Sequence, residues 1–116
     1  MKTTELTGAA LDWAVAKCED YTDKIRINKS KEWEDLGRTQ VRDADYTIWS
    51  PSEDWAQGGP IIEREKIGLL PSGNAYYECG GCTYYSYGDK PLIASMRCYV
   101  ASKLGDNVEI PKELTQ

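Results

Sequence analysis

Two indoles, several short polar side chains and a glycine pair stand together in WSPSEDWAQGGPIIE, residues 49–63. Trp49 and Trp55 can stack on a flat ring, and Ser50, Ser52, Asp54 and Gln57 offer donors and acceptors. Gly58 and Gly59 let a ligand come close to main-chain N–H groups, with Ile62 as an apolar neighbour. This inventory suits a nucleotide or modified nucleoside. It equally suits a rigid connector whose indoles plug a core and whose polar groups close turns. The paired glycines and Pro60 read as an ordered loop over 54–60, followed by an extended segment through Ile67.

Other chemistry is narrowed by what is missing. The sequence has no histidine, so Ser-His and Cys-His nucleophile pairs cannot be built. Asp12, Asp54, Glu63 and Glu65 remain as acid–base candidates, but their spacing gives no sign that two of them face each other. Cys79 and Cys82 have the spacing of half a zinc site, and Cys18 and Cys98 would have to complete it from helices. We expect no catalytic residue, no metal, no cofactor and free thiols. Arg97, one turn past Ile93 on a helix, is placed to reach an anion as a planar fork, and Lys103 is turned away from it.

The elements that must position these groups follow from periodicity. Leu6, Ala10, Trp13 and Ala14 recur at helical spacing over 6–17, with Leu11, Val15 and Cys18 widening the stripe and Thr7 as N-cap. Leu6 can pack on Leu11 as a hydrophobic staple. Asp12 lies among these apolar positions, either in solvent or aimed at something. Ile25 and Ile27 alternate like a short strand, the charged stretch 29–35 reads as an exposed, mobile excursion, and Tyr46 and Ile48 alternate again.

Tyrosine-rich arms over 74–87 around Gly80 and Gly81 form the clearest hairpin signal. A last helix starts at Pro91, runs through Leu92, Met96, Tyr99, Val100 and Lys103, and is closed by Gly105; a short tail follows from Val108. Leu11, Trp13, Met96 and Val100 should be buried against a common sheet. The expected fold is α+β, a small antiparallel or mixed sheet with an N-terminal and a C-terminal helix packed on it, in one domain over 1–116.

The chain has 116 residues, 41% of them apolar and 28% charged, with four Trp and eight Tyr and no Phe. That is a globular composition. A net charge of −5 is the wrong sign for gripping a phosphate backbone, so general nucleic-acid binding is not expected. Lys24, Arg26, Lys29 and Lys31 read as a solvated face. No stretch approaches a membrane span or a signal peptide, which places the chain in the cytoplasm where it is made, with no membrane partner.

Three blocks, TELTGAALDWAVA (4–16), WSPSEDWAQGGPIIER (49–64) and PLIASMRCYVASKLGD (91–106), together resemble the NinX-like family of small phage and prophage proteins. Residues 21–46 and 68–90 match no family pattern. The resemblance implies an accessory phage protein working inside the host, and brings no catalytic residue or ligand with it. The resulting expectation is a non-enzymatic protein that binds and sequesters a small nucleotide-derived ligand, an anti-phage defence signal of the host. The site would comprise Trp49, Ser50, Ser52, Asp54, Trp55, Gln57, Gly58, Gly59, Ile62 and Arg97. The alternatives are a protein-binding inhibitor or regulator of a host factor using the tyrosine-rich hairpin, and then a small hydrolase using Asp54 or Glu63. A homo-oligomer is allowed by all three.

Overall fold

Leu6, Leu11, Val15, Met96 and Val100 are fully buried, and the element order explains how they meet. The computed structural model describes residues 1–21, 26–28, 40–42, 48–71, 73–79 and 81–114. A 3₁₀ turn at Thr3–Glu5 leads into α1 (Gly8–Cys18). Then come β1 (Arg26–Asn28), β2 (Gln40–Arg42), α2 (Trp55–Glu65), β3 (Gly68–Leu69), β4 (Ala75–Cys79), β5 (Cys82–Ser86) and α3 (Pro91–Leu104), with a second 3₁₀ turn at Lys112–Leu114. β1 and β2 pair antiparallel, and β3, β4 and β5 form an antiparallel sheet in that order. The class is α+β, with helices toward both ends of the chain.

The hairpin has the expected register. Cys79 faces Cys82 across the turn, and the pairing runs unbroken to Ala75 opposite Ser86. Gly81 has φ +82°, the left-handed region that a tight hairpin turn demands and glycine supplies without strain. Ala75, Tyr77 and Ser86 are buried, whereas Tyr76 and Tyr85 are exposed on the other face, as the period of two requires.

α3 is the hub. One side packs on β4 and β5, and its other sides receive α1 and α2. Pro91 occupies the first turn, where its missing N–H costs nothing, and Gly105 closes the helix with φ +84°. Its expected core positions are correct. α1, however, packs chiefly on α3 instead of on the three-stranded sheet, and Trp13 is only half-buried at the edge of the core. Leu6 and Leu11 both enter the core. Thr7 sits at the N-cap, but its side chain makes no capping bond.

The main correction concerns 54–67. Where a loop and an extended segment are expected, the chain forms α2. Asp54 caps it through Oδ1, which accepts from Ala56 N–H at 2.9 Å. Gly58 and Ile61 turn inward at helical spacing. Lys66 ends the helix in the left-handed region, φ 58°, and Ile67 is buried beyond it. The tail is also more than a tail: Val108 and Met1 exchange main-chain bonds at 2.9 Å, and Lys2 bridges Asn107. The expected excursion at 29–35 and most of the basic cluster lie outside the described residues. So does the start of the strand expected from Tyr46 to Ser50; of its described residues, Ile48 is exposed and Trp49 and Ser50 belong to a turn.

Candidate functional site

Residues 48–59 form a turn docked on α1 and continuing into α2. The carbonyl of Ser50 accepts from Glu53 and Asp54 N–H, at 2.9 and 2.8 Å, which folds the chain back. Gln57 reaches from α2 to lock the turn: its Oε1 accepts from Ser50 N–H at 2.6 Å and its Nε2 donates to the Ile48 carbonyl at 2.8 Å. Both polar atoms of Gln57 therefore have main-chain partners.

α1 holds the same turn at two points. Trp49 Nε1 donates to the Asp12 carbonyl at 2.8 Å, and Asp12 Oδ1 accepts from Ser52 N–H at 2.9 Å. The Trp49 ring meets Tyr21 edge-on, with centroids 5.7 Å apart and planes at 82°. Asp12 is thus the inward-aimed polar group that its place in an apolar stripe allowed. Burial pushes its carboxyl up to about 7, opposed by the Ser52 N–H and hydroxyl and aided by the nearby charge of Glu53. The Ser52 hydroxyl is fully buried and meets no hydrogen-bond partner in proper geometry.

Trp55 is different. It stands on the first turn of α2 with 54% of its surface exposed. Gly59, one turn along, leaves that indole uncovered: a Cβ there would just touch the Trp55 ring, 3.9 Å from Cε3. At Gly58 a Cβ would run into the Pro51 carbonyl and approach Leu92 Cδ2, so the missing side chain lets α2 pass close to the turn and to α3. Ile62 packs half-buried against the core. Arg97 spends its fork on the scaffold: Nε donates to the Leu6 carbonyl at 2.7 Å and Nη1 to the Tyr87 carbonyl at 2.6 Å. Burial lowers its pKa from the usual guanidinium value, against a raising pull from Asp89.

A second polar cluster takes in Glu65, one of the acid–base candidates, and ties it to residues distant in the chain. Arg64 pairs bidentately with Glu19, both contacts 2.9 Å, and its Nε donates to Glu65 at 2.9 Å. Tyr99 donates to Glu19 at 2.9 Å and Tyr77 to Glu65 at 2.6 Å. Glu19 above all, then Glu65, holds Arg64 more firmly charged than a free guanidinium. Tyr77 first and Arg64 second hold Glu65 below the usual carboxylate range. The two carboxylates are fully engaged, which suits a clamp joining α1, α2, β4 and α3 more than acid–base work. Burial pushes the Cys18 and Cys98 thiols up to about 12, far from the thiolate that nucleophilic chemistry needs. Among the described residues, no three Cys, Asp or Glu side chains gather as metal ligands, and no helix is long and apolar enough to cross a membrane.

Among the described residues, the geometry thus defines a small α+β protein whose polar groups mostly brace its own turns and helices, with the Trp55 indole bare on a helix start. A family model described as Bacteriophage P22, NinX matches residues 2–103, and the chain belongs to that family. The match extends the resemblance beyond the three blocks and through the hairpin. No curated protein matches the chain.

Proposed function

We propose that this phage protein is a non-enzymatic binding protein that captures a small nucleotide-derived ligand, a host anti-phage defence signal, by stacking its ring on Trp55. The carrying observation is the Trp55 indole: exposed, on an anchored helix turn, with Gly59 keeping the adjacent surface low. Base stacking on such a ring contributes roughly 1–3 kcal/mol per base. Trp49 and Gln57 support the reading indirectly, because they fix the turn that carries Trp55, and Asp54 sets the helix start beside it. The test is mass spectrometry of small molecules released by denaturing protein purified from signal-producing cells. An intact nucleotide that is absent from the Trp55→Ala protein supports capture; a chemically changed product points to turnover.

A second reading, a protein-binding inhibitor or regulator of a host factor, is favoured by the outer face of the hairpin. Tyr85 and Tyr87 are each 69% exposed and Tyr76 37%, and exposed tyrosines are common in protein interfaces. Under this reading Tyr85→Ala with Tyr87→Ala loses a host polypeptide that Trp55→Ala retains.

A further inference from the structure

We propose that β5 pairs with β5 of a second copy of this chain, antiparallel about a twofold axis beside Tyr84, joining two three-stranded sheets into one. The main-chain hydrogen bonds set the argument. Leu70 N–H donates to the Asn74 carbonyl at 2.9 Å, and the register continues with Gly68 opposite Tyr76. In an antiparallel ladder, bonded pairs alternate with unbonded ones, so the N–H and C=O of Tyr76 point toward β3 and away from β5. Tyr85 lies opposite Tyr76, and Thr83 opposite Glu78. The main-chain groups of Tyr85 and Thr83 therefore point to the far edge of the sheet. There, among the described residues, no strand pairs with β5.

An open edge of this kind is ordinarily guarded by a lysine, a proline, an inward charge or a bulge. β5 reads CTYYS, with no charge and no proline, and its five pairs with β4 run without a bulge. The edge is also self-complementary. Turning a copy about Tyr84 sets Thr83 opposite the copy's Tyr85, and Tyr85 opposite the copy's Thr83. Both pairs fall in the bonded phase, so all four residues satisfy their N–H and C=O groups together. A register one pair further on would engage Tyr87, whose carbonyl already accepts from Arg97 at 2.6 Å. The chosen register brings no charged side chains opposite each other along the joined strands; on the exposed face it sets Tyr85 against the copy's Thr83, with Tyr76 and the copy's Glu78 flanking them.

Sedimentation of the full chain over a concentration series, combined with amide hydrogen exchange, tests this. The expected result is a monomer–dimer equilibrium in which Thr83 and Tyr85 amides exchange about tenfold or more slowly in the dimer. Thr83→Glu with Tyr85→Glu sets like charges opposite each other across the axis, on exposed positions, and should give a folded monomer. A chain monomeric at every concentration overturns the proposal. So does a dimer whose Thr83 and Tyr85 amides exchange freely, or protection of those amides by a different polypeptide. Should the double variant fail to fold, amide exchange in the unmodified chain decides alone.

Discussion

Asp12 on α1 accepts the main-chain N–H of Ser52 at 2.9 Å, so a buried carboxylate of the first helix fixes the turn that launches α2. Its folded pKa of about 7 lies above the ordinary 3.8. The folded chain therefore keeps a proton that the unfolded chain gives up between these values. Stability should fall as pH rises from about 4 to about 7 and level off above, where ionisation costs at most about 4 kcal/mol. Asp12→Asn keeps the acceptor and removes the charge. Thermal melts should show a flatter pH dependence and a more stable variant at pH 8; a less stable one would mean that the charged bond to Ser52 outweighs burial.

Trp55 and Asp54 separate a binding role from a scaffolding one. Trp55→Ala removes an exposed ring and should change stability by about 0.5 kcal/mol or less, while weakening nucleotide capture by roughly 1–3 kcal/mol in calorimetry. Asp54→Ala removes the cap of α2 and should destabilise by about 1 kcal/mol. Asp54→Asn retains an acceptor for Ala56 and should be nearly neutral in denaturant titration.

Met96, fully buried on α3, tests the hub. Met96→Ala should cost about 2–5 kcal/mol by urea unfolding. A cost below about 1 kcal/mol would show that α1 and the sheet can close around the space.

The clamp around Glu19 should behave as a unit. Arg64→Ala alone should cost about 1 kcal/mol or less, because the guanidinium is half exposed. Tyr99→Phe alone should cost about 1 kcal/mol. A double-mutant cycle should show a coupling of about 0.5 kcal/mol or more, since both residues share Glu19 Oε2. Additive effects would dissolve the network into independent contacts.

The periodic elements were legible because local chemistry and tertiary role agree in them. The apolar stripe of α1, the turn at Gly81 and the Pro91 start of α3 each mean locally what they become in the fold. α2 is hidden from a local reading because Gly58, Gly59 and Pro60 are breakers by propensity. Tertiary packing overrides this at Gly58, where Pro51 and Leu92 leave no room for a side chain. The sequence signal for it is the Asp54 cap ahead of Gly58 and Ile61 at helical spacing. The Glu19 clamp left no local trace, since Arg64 and Tyr99 lie 45 and 80 residues from Glu19. Arg97 shows a related limit: its type allows an anion fork, but only the fold reveals two carbonyls already in its grasp.

The pairing of the first residues with those after α3 has a consequence for how the chain is made. Thr3 Oγ1 donates to the Gly105 carbonyl, 102 residues away, at 2.6 Å, and Leu6 and Leu11 share their core with Met96 and Val100. Synthesis delivers α1 long before its partner helix exists. The nascent chain must therefore carry an apolar helix without cover until α3 has left the ribosome, and contacts of such separation form slowly. Truncations that remove α3 should yield insoluble fragments in place of smaller folded ones.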